Sequence, residues 1–557
     1  MAMNFKKEEL YFIPLGGAEQ FGVNLNVYGY QNKWLVVDCG MGFADERHPG
    51  IDILLPDPKF LTDHKKDLVG LIITHAHEDH IGAVGHLWPR LRCPIYCSPF
   101  TAAVLRKKFS EFPNCRDAEI IVIKPNQKIN LKPFAVTFTP VTHSVPDTMS
   151  LFIETDVGNI VHSGDWNLDP YPTLGNPTEA EPFQKFGEKG VLAYIGDSTN
   201  AEVDGTSGSE SDVEKGLSEV FRECRGRIAI TMFASNIGRL RTICLAARQT
   251  GRQVALLGRS LHTMVAAARD CGYLKDIPNF VPEDEIGYIP DDKIIILVTG
   301  SQGEARAQLA RIARGEHREI SFKKGDTVIF SARPIPGNER EIIEVKNHLA
   351  ASHVRIISPR ETKHIIHVSG HPARDEITQM LQWVKPQAVI AVHGERTMLE
   401  AHAALARECQ VPTAIVPKNG SVIRLYPATP QVVDHIETGL LAVEPGRIIS
   451  ADHQAIAQRR KLQFSGAVHA TLVMNARGDL VADAQVSTVG LIDPEEQNGQ
   501  KFEDDILDEI EDLLADMTRE ELYDDKFVGE EIRIGIRRFV DHKISIKPKT
   551  SVHIVRV

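Results

Sequence analysis

Residues 75–80 read His75-Ala76-His77-Glu78-Asp79-His80, with three imidazoles and the Asp79 carboxylate inside six residues. They follow the apolar run Leu71-Ile72-Ile73. A strand that ends there in a turn aims His75 and His77 at one cation, and Asp79 and His80 at a second. Neutral imidazole plus carboxylate is a donor set suited to zinc or manganese. Three later segments each place a further donor at the end of an apolar run: Val141-Thr142-His143, Ile160-Val161-His162-Ser163-Gly164-Asp165, and Ala388-Val389-Ile390-Ala391-Val392-His393. Any one of these histidines alone would be an ordinary buried residue. Together with the first cluster they make seven donors, a count that serves two ions. His75, His77 and His143 are assigned to one ion, and Asp79, His80 and His393 to the other. Asp165 is the expected bridge, because a carboxylate has two oxygens to share. Asp38 closes the run Leu35-Val36-Val37 and is expected to orient a ligating histidine rather than to ligate.

The elements that must carry these groups are β-strands. Each donor sits where an apolar run exits into a turn, which is where α/β folds build their sites. More than 220 residues separate Asp165 from His393, enough to hold a further domain. That stretch has its own strand-like runs, at 228–233, 254–257, 294–298 and 328–330, alternating with helical patterns. The alternation predicts a second α/β unit with a largely parallel sheet.

The order Asp38, His75-to-His80, His143, Asp165, His393 resembles the metallo-β-lactamase superfamily. That resemblance implies an αββα sandwich with the metals at one edge, and does not fix the substrate. Two further groups flank the insertion. Asp197 ends the run Ala193-Tyr194-Ile195-Gly196, and His367-Val368-Ser369-Gly370-His371 lies shortly before His393. With them the chain resembles the nucleic-acid-processing β-CASP subgroup. Within it, the chain resembles the ribonuclease J family of bacteria from about residue 8 to about residue 445, and more loosely beyond. The residues that carry this are His75–His80, Gly196-Asp197-Ser198-Thr199-Asn200, Phe233-Ala234-Ser235-Asn236, Thr299-Gly300-Ser301-Gln302-Gly303-Glu304, Pro334-Ile335-Pro336-Gly337-Asn338-Glu339, His367–His371 and His393-Gly394-Glu395. Arg333 departs from the pattern and is given no role.

The implied architecture has the metallo-β-lactamase domain in two parts, 1–205 and 363–447. The β-CASP domain lies at 206–362, a linker at 448–461, and a small α/β assembly domain at 462–557. The implied chemistry is hydrolysis of RNA phosphodiester bonds with two divalent cations, zinc first, with manganese or magnesium as alternatives. Asp79 ligates and orients the attacking water, and His371, oriented by Asp197, protonates the leaving 3′ oxygen. Products would carry a 5′ phosphate and a 3′ hydroxyl. The resemblance implies 5′-to-3′ exonuclease and endonuclease modes, in rRNA maturation and mRNA decay, on single-stranded RNA with a 5′ monophosphate. Ser369 and Gly370 are expected to help hold that phosphate, with Ser235 and Asn236 as further contacts. The turn Gly300-Ser301-Gln302-Gly303 is either an anion cradle or a structural turn. The competing readings are a β-CASP DNA nuclease, a small-molecule metallo-hydrolase, and an RNA-binding scaffold without activity.

Composition agrees with a large enzyme. The chain has 557 residues, of which 42% are hydrophobic. No stretch of 18 apolar residues occurs, and the N-terminal residues lack the apolar core of a signal peptide, so a cytoplasmic protein without a membrane partner is expected. Eight scattered cysteines are expected as free buried thiols. The net charge of −12 means that RNA affinity must come from concentrated basic residues. The candidates are Arg239, Arg241, Arg259, Arg306, Arg311, Arg314, Arg318, Lys323 and Lys324. Much of the acidity lies at 503–521, where Phe502, Ile506, Ile510, Leu513 and Met517 recur at helical spacing. The C-terminal segment is expected to hold a connecting helix at 451–461, strands at 468–474 and 481–491, two helices and a last strand at 551–557. It carries no catalytic cluster, and the resemblance makes it the seat of a homodimer or homotetramer.

Overall fold

The computed structural model describes residues 5–335, 337–492 and 499–557, with the side chains of residues 499 and 500 left aside. Met1 to Asn4, expected to lack a signal, and Pro336 of the Pro334–Glu339 motif lie outside the described residues. Two compact units are present: residues up to Phe43 with Leu54–Gly439, and Ala44–Ile53 with the chain from Leu440 onward.

The first unit holds the sandwich. One sheet of eight strands runs in the order Gln431–His435, Ser421–Tyr426, Leu10–Gly16, Leu25–Tyr30, Lys33–Val37, Leu68–Ile73, Ile95–Cys97, Ile120–Val122. A second sheet of seven runs Thr413–Ile415, Ala388–Val392, Ala193–Asp197, Gly158–His162, Met149–Thr155, Phe134–Pro140, Lys128–Leu131. Their inner faces share one core: Phe12, Tyr28, Leu35 and Ile72 from the first meet Phe138, Leu151, Ile160, Ile195 and Ile390 from the second. The outer face of the second sheet packs Val161, Tyr194 and Val389 against Phe183 and Phe186 of helix Ala180–Glu188, and against Ile377 and Met380 of helix Arg374–Val384. Strands covered on both sides explain why Ala388–Val392 reads as an unbroken apolar run.

Strand direction brings the donors to one edge. Gly158–His162, Ala193–Asp197 and Ala388–Val392 are parallel, in the register Val161↔Tyr194 and Asp197↔Val392. Phe134–Pro140 is antiparallel to Met149–Thr155, which is antiparallel to Gly158–His162, so its exit points the same way. In the facing sheet Lys33–Val37 and Leu68–Ile73 are parallel, with Val37 beside Ile72. Asp38 and His75 therefore leave the sandwich at one rim.

The inserted unit is a five-stranded, all-parallel sheet in the order Gln253–Leu257, Ile294–Val298, Ile228–Thr231, Thr327–Phe330, Arg355–Ile357. Its core joins Ile296, Val298, Val328 and Phe330 to Leu309, Ile342 and Leu349 of its helices.

In the second unit, the strands Gln485–Val489, Ala467–Met474 and Lys549–Arg556 form a sheet. One face packs Val468, Ala470 and Leu472 on Phe502, Ile506 and Ile510 of helix Gly499–Ala515, and on Ile532 and Ile536 of helix Asp525–Ile544. A short third helix, Arg519–Leu522, separates the two expected ones. It is started by a capping box between Thr518 and Glu521. The connecting helix spans Gln454–Ser465 rather than 451–461. His453 caps its start by accepting from the Ala455 N–H, and Gly466 at φ 58 ends it. Strand Arg447–Ser450 precedes it, so the segment expected as a linker is largely structured.

Candidate metal centre

Asp165 lies at the focus of the rim. Its Oδ2 is 3.2 Å from His80 Nε2, 3.5 Å from His393 Nε2, 3.6 Å from His75 Nε2 and 3.9 Å from His143 Nε2. Three donor sets share it: His75, His77, His143 and Asp165; Asp79, His80, Asp165 and His393; and Asp165, Asp197, His371 and His393, with each set's donor atoms within 4.8 Å of one another. His77 Nδ1 lies 3.1 Å from both His75 Nε2 and His143 Nε2, and Asp79 Oδ2 lies 3.4 Å from His80 Nε2. All seven residues assigned from the sequence are thus brought to one place.

The donor set fits divalent cations. Both carboxylate oxygens of Asp165 are buried without a hydrogen-bond partner, which is costly for an ionised group unless a cation supplies the missing interaction. The imidazoles are held by their far nitrogens. His80 Nδ1 donates to Asp38 Oδ2 at 2.8 Å, His143 Nδ1 to the Gly370 carbonyl at 2.7 Å, and His393 Nδ1 to Asn24 Oδ1 at 3.1 Å. His75 Nδ1 is 3.0 Å from Thr74 Oγ1, and His77 Nε2 is 3.3 Å from Ser144 Oγ. In the neutral form of each ring such a contact leaves the other nitrogen's lone pair facing the cluster, which is how metal-ligating histidines are oriented.

The local charge balance follows from this crowding. Burial pushes His77 down to about 3, with His143 adding to the effect. Burial also takes His143 down to about 4, against the pull of Asp165, and holds His75 well below its ordinary value. At His80 burial is outweighed by Asp165, Asp79 and Asp38, which raise it well above the usual imidazole range. Asp165 and Asp79 are held low because the surrounding imidazoles overcome the burial that would raise them.

Backbone geometry at the rim is specialised. Asp38 and His393 sit in the left-handed region at φ 63 and φ 56, unusual for residues other than glycine and typical of functional sites. Asp38 is fully buried and also accepts from the Thr74 N–H at 2.8 Å. It thus touches His80 as expected. Gly40 lies against the 75–80 loop so closely that a Cβ there would fall 1.6 Å from the Asp79 carbonyl oxygen.

Beside the cluster, His371 Nδ1 is 2.8 Å from Asp197 Oδ2 and 3.8 Å from Asp165 Oδ2. Burial lowers the imidazolium of His371, but Asp197 and then Asp165 overcome it and bring it up to about 9. Asp197 is also fixed by the N–H and hydroxyl of Thr199. The loop that bears His371 is tied down from several sides. Ser369 Oγ accepts from Asn200 Nδ2 at 2.7 Å and from the His371 N–H at 3.1 Å. Asn200 Nδ2 also donates to the His371 carbonyl, and Asn167 Nδ2 to the Ser369 carbonyl. Ser369 therefore holds the loop with its side-chain oxygen. A Cβ on Gly370 would lie 2.9 Å from the His143 ring.

The remaining expected contacts are distributed differently. Asn236 spends Oδ1 on the Arg239 N–H as the cap of helix Ile237–Gln249, while Ser235 beside it is half-buried. Gln302 is buried and ties its turn to the 333–335 segment, donating to the Arg333 carbonyl and accepting from the Ile335 N–H. Arg239 is not a surface contact for RNA: it is fully buried and paired with Glu210. Arg241, Arg314 and Lys323 pair with Asp276, Glu316 and Asp291. Arg259, Arg306, Arg318 and Lys324 are exposed, and Arg311 is half-buried. Sequence reasoning gave no role to Asn24, Thr74, Asn167 or Asn200. It also missed Glu376, a buried carboxylate that accepts from the N–H groups of Leu168, Ser207 and Ala373.

The sandwich, its inserted parallel sheet and the rim cluster define a metallo-β-lactamase-fold hydrolase with a β-CASP insertion. The chain matches the family described as "Beta-lactamase superfamily domain" over residues 33–179 and "Ribonuclease J, beta-CASP domain" over 225–349. It matches "Zn-dependent metallo-hydrolase RNA specificity domain" over 357–416 and "Ribonuclease J C-terminal domain" over 454–557. It is 42% identical to "Ribonuclease J" of Sinorhizobium meliloti, across 99% of this chain and 98% of that one. It is 34% identical to "Ribonuclease J" of Thermus thermophilus, across 83% of this chain and 82% of that one. A solved Enterococcus faecalis protein of unknown function shares the fold at TM-score 0.52 and 17% identity, covering 75% of this chain and all of that one. The chain belongs to the ribonuclease J family. No helix among the described residues is long and apolar enough to cross a membrane.

Proposed function

We propose that this protein hydrolyses RNA phosphodiester bonds at a two-cation centre. It would act as a 5′-to-3′ exonuclease and as an endonuclease, in rRNA maturation and mRNA decay in the cytoplasm. The observation that carries the reading is the juxtaposition of His371, paired with Asp197, and the Asp165-centred donor cluster. His75, His77, His143 and Asp165 would hold one cation, and Asp79, His80, His393 and Asp165 the other, zinc in first place and manganese or magnesium otherwise. Bound there, divalent cations supply Lewis acidity toward the phosphoryl oxygens and make water a nucleophile at neutral pH. Asp79 orients that water for in-line attack on phosphorus. The P–O3′ bond breaks, and His371 delivers its proton to the departing 3′ oxygen, leaving a 5′ phosphate and a 3′ hydroxyl. Asp197 fixes the ring so that Nε2 faces the substrate side. Ser369, Gly370, Ser235 and Asn236 are the proposed contacts for a 5′ monophosphate. The C-terminal unit, 462–557, would join copies into dimers or tetramers.

One assay tests this. An RNA labelled separately at each end, with a 5′ monophosphate or triphosphate, is compared with matched DNA, with and without Zn²⁺ or Mn²⁺. Mononucleotide released from the monophosphorylated RNA supports the exonuclease reading, and internal fragments support the endonuclease one. Cleavage of DNA with RNA left intact would overturn it.

A further inference from the structure

Arg239 belongs to the inserted domain, on the first turn of helix Ile237–Gln249, yet it is fully buried and every nitrogen of its guanidinium is engaged. Nε and Nη2 donate to the Glu210 carboxylate at 2.9 and 2.6 Å. Glu210 opens the first helix after the chain leaves the sandwich, and its own N–H donates to Asp169 Oδ2, four residues past Asp165. Nη1 donates to Ser331 Oγ at 2.7 Å and to the Ser331 carbonyl at 3.0 Å, at the end of strand Thr327–Phe330. The same guanidinium reaches the carbonyls of Ile366 and Val368 at 3.4 Å, on the segment by which the chain returns to the sandwich. Ser331 Oγ reinforces this by donating to the Ile366 carbonyl at 2.6 Å. The next residues of the returning segment are Ser369, Gly370 and His371. One side chain thus fastens both connections between the two domains, immediately before the loop that carries the proton donor.

We propose that Arg239 is a positioning residue for catalysis: by pinning the outgoing and returning connections together it sets where Ser369-Gly370-His371 stands over the metal cluster. The inference rests on the reading of His371 as general acid. A planar five-donor fork is needed to serve a carboxylate and several carbonyls at once, which a lysine ammonium cannot do. Its partners include Glu210, Ser331 and the carbonyls of Ile366 and Val368, so it acts through loop placement.

The test compares Arg239→Lys and Ser331→Ala with His371→Ala in the full chain, on two substrates. RNA has an alkoxide leaving group that needs a proton, whereas the p-nitrophenyl ester of uridine 5′-phosphate releases p-nitrophenolate, which does not. Metal content and melting temperature are measured on every variant. His371→Ala is expected to lower kcat on RNA by about 10²-fold or more while changing the ester reaction by less than about 5-fold. Arg239→Lys is expected to show the same split with metal content at the wild-type level, and Ser331→Ala a smaller one of about 10-fold on RNA. Equal losses on both substrates, or no loss on RNA, in a folded Arg239→Lys would overturn the proposal if His371→Ala shows the split. Should Arg239→Lys not fold, Ser331→Ala decides by the same criterion. Absence of the split in His371→Ala itself would sink the general-acid reading, and this inference with it.

Discussion

Asp38→Asn isolates the contribution of a buried contact to metal affinity. The wild-type carboxylate accepts at Oδ2 from His80 Nδ1 at 2.8 Å, at Oδ1 from the Thr74 N–H at 2.8 Å, and at both oxygens from the Thr74 hydroxyl at 2.9 and 3.0 Å. An asparagine keeps the size of the side chain and tolerates the left-handed backbone at φ 63 better than most residues. It has one amide oxygen, however, for three donors: the His80 ring, the Thr74 N–H and the Thr74 hydroxyl. If the oxygen stays with Thr74, the NH₂ faces His80 and forces the imidazole proton onto Nε2, the nitrogen that lies 3.2 Å from Asp165. If the amide turns over, the buried Thr74 N–H loses its partner instead. The lost charge-assisted bond is worth about 1.5–3 kcal/mol. Loss of such an orienting contact typically costs about 10–100-fold in metal affinity, or about 1.4–2.8 kcal/mol. The cost should fall mainly on the ion of His80, because His77 and His143 are held by Ser144 and Gly370, and His75 reaches Asp38 only through the Thr74 hydroxyl. The assay is a competitive titration with a chromophoric chelator, followed by RNA cleavage at saturating metal. One equivalent should weaken about 10–100-fold while the other stays within a few-fold, and excess metal should restore much of the activity. Equal weakening of both equivalents, or unchanged affinity with reduced turnover, would refute the reasoning.

Three further outcomes are expected. His371→Ala should slow RNA cleavage by about 10²–10⁴-fold and leave metal content unchanged, whereas loss of a full equivalent would place His371 among the ligands. Asp197→Asn removes the first of the groups that raise His371, so the proton donor would be lost at lower pH as pH rises; the alkaline limb of kcat should move toward acid, and an unmoved limb would detach Asp197 from the titration. Ile510→Ala truncates a fully buried side chain between the C-terminal helices and sheet and should cost about 2–5 kcal/mol in denaturant unfolding of the full chain, with metal binding unaffected.

The side chains of the candidate metal centre were legible because each stands at the end of an apolar run, and parallel strands carry such ends to one rim whatever lies between them. His393 could be assigned across the long insertion for that reason alone. What the pattern did not disclose is contact between residues far apart in the chain. Asn24 serves His393 and the Asp79 carbonyl, and Glu376 ties the Asp165 loop to the His371 loop, but neither lies at a strand end or in a periodic pattern. Arg239 was read as a surface charge because sequence gives a residue's charge and not its burial; the partner that permits its burial, Glu210, is 29 residues away. The shifted ends of helix Gln454–Ser465 come from a histidine acting as cap, a residue outside the usual capping set. The Thr518-x-x-Glu521 capping box that starts the extra C-terminal helix, by contrast, was available in the sequence.

The most direct measurement is anomalous diffraction from crystals of the zinc-loaded protein, collected on both sides of the zinc edge. Two peaks should appear at the rim, one at about 2.0–2.2 Å from nitrogens of His75, His77 and His143, the other similarly close to Asp79, His80 and His393, with Asp165 reaching both. A single peak, or a peak ligated by His371, would contradict the two-cation centre with a separate proton donor.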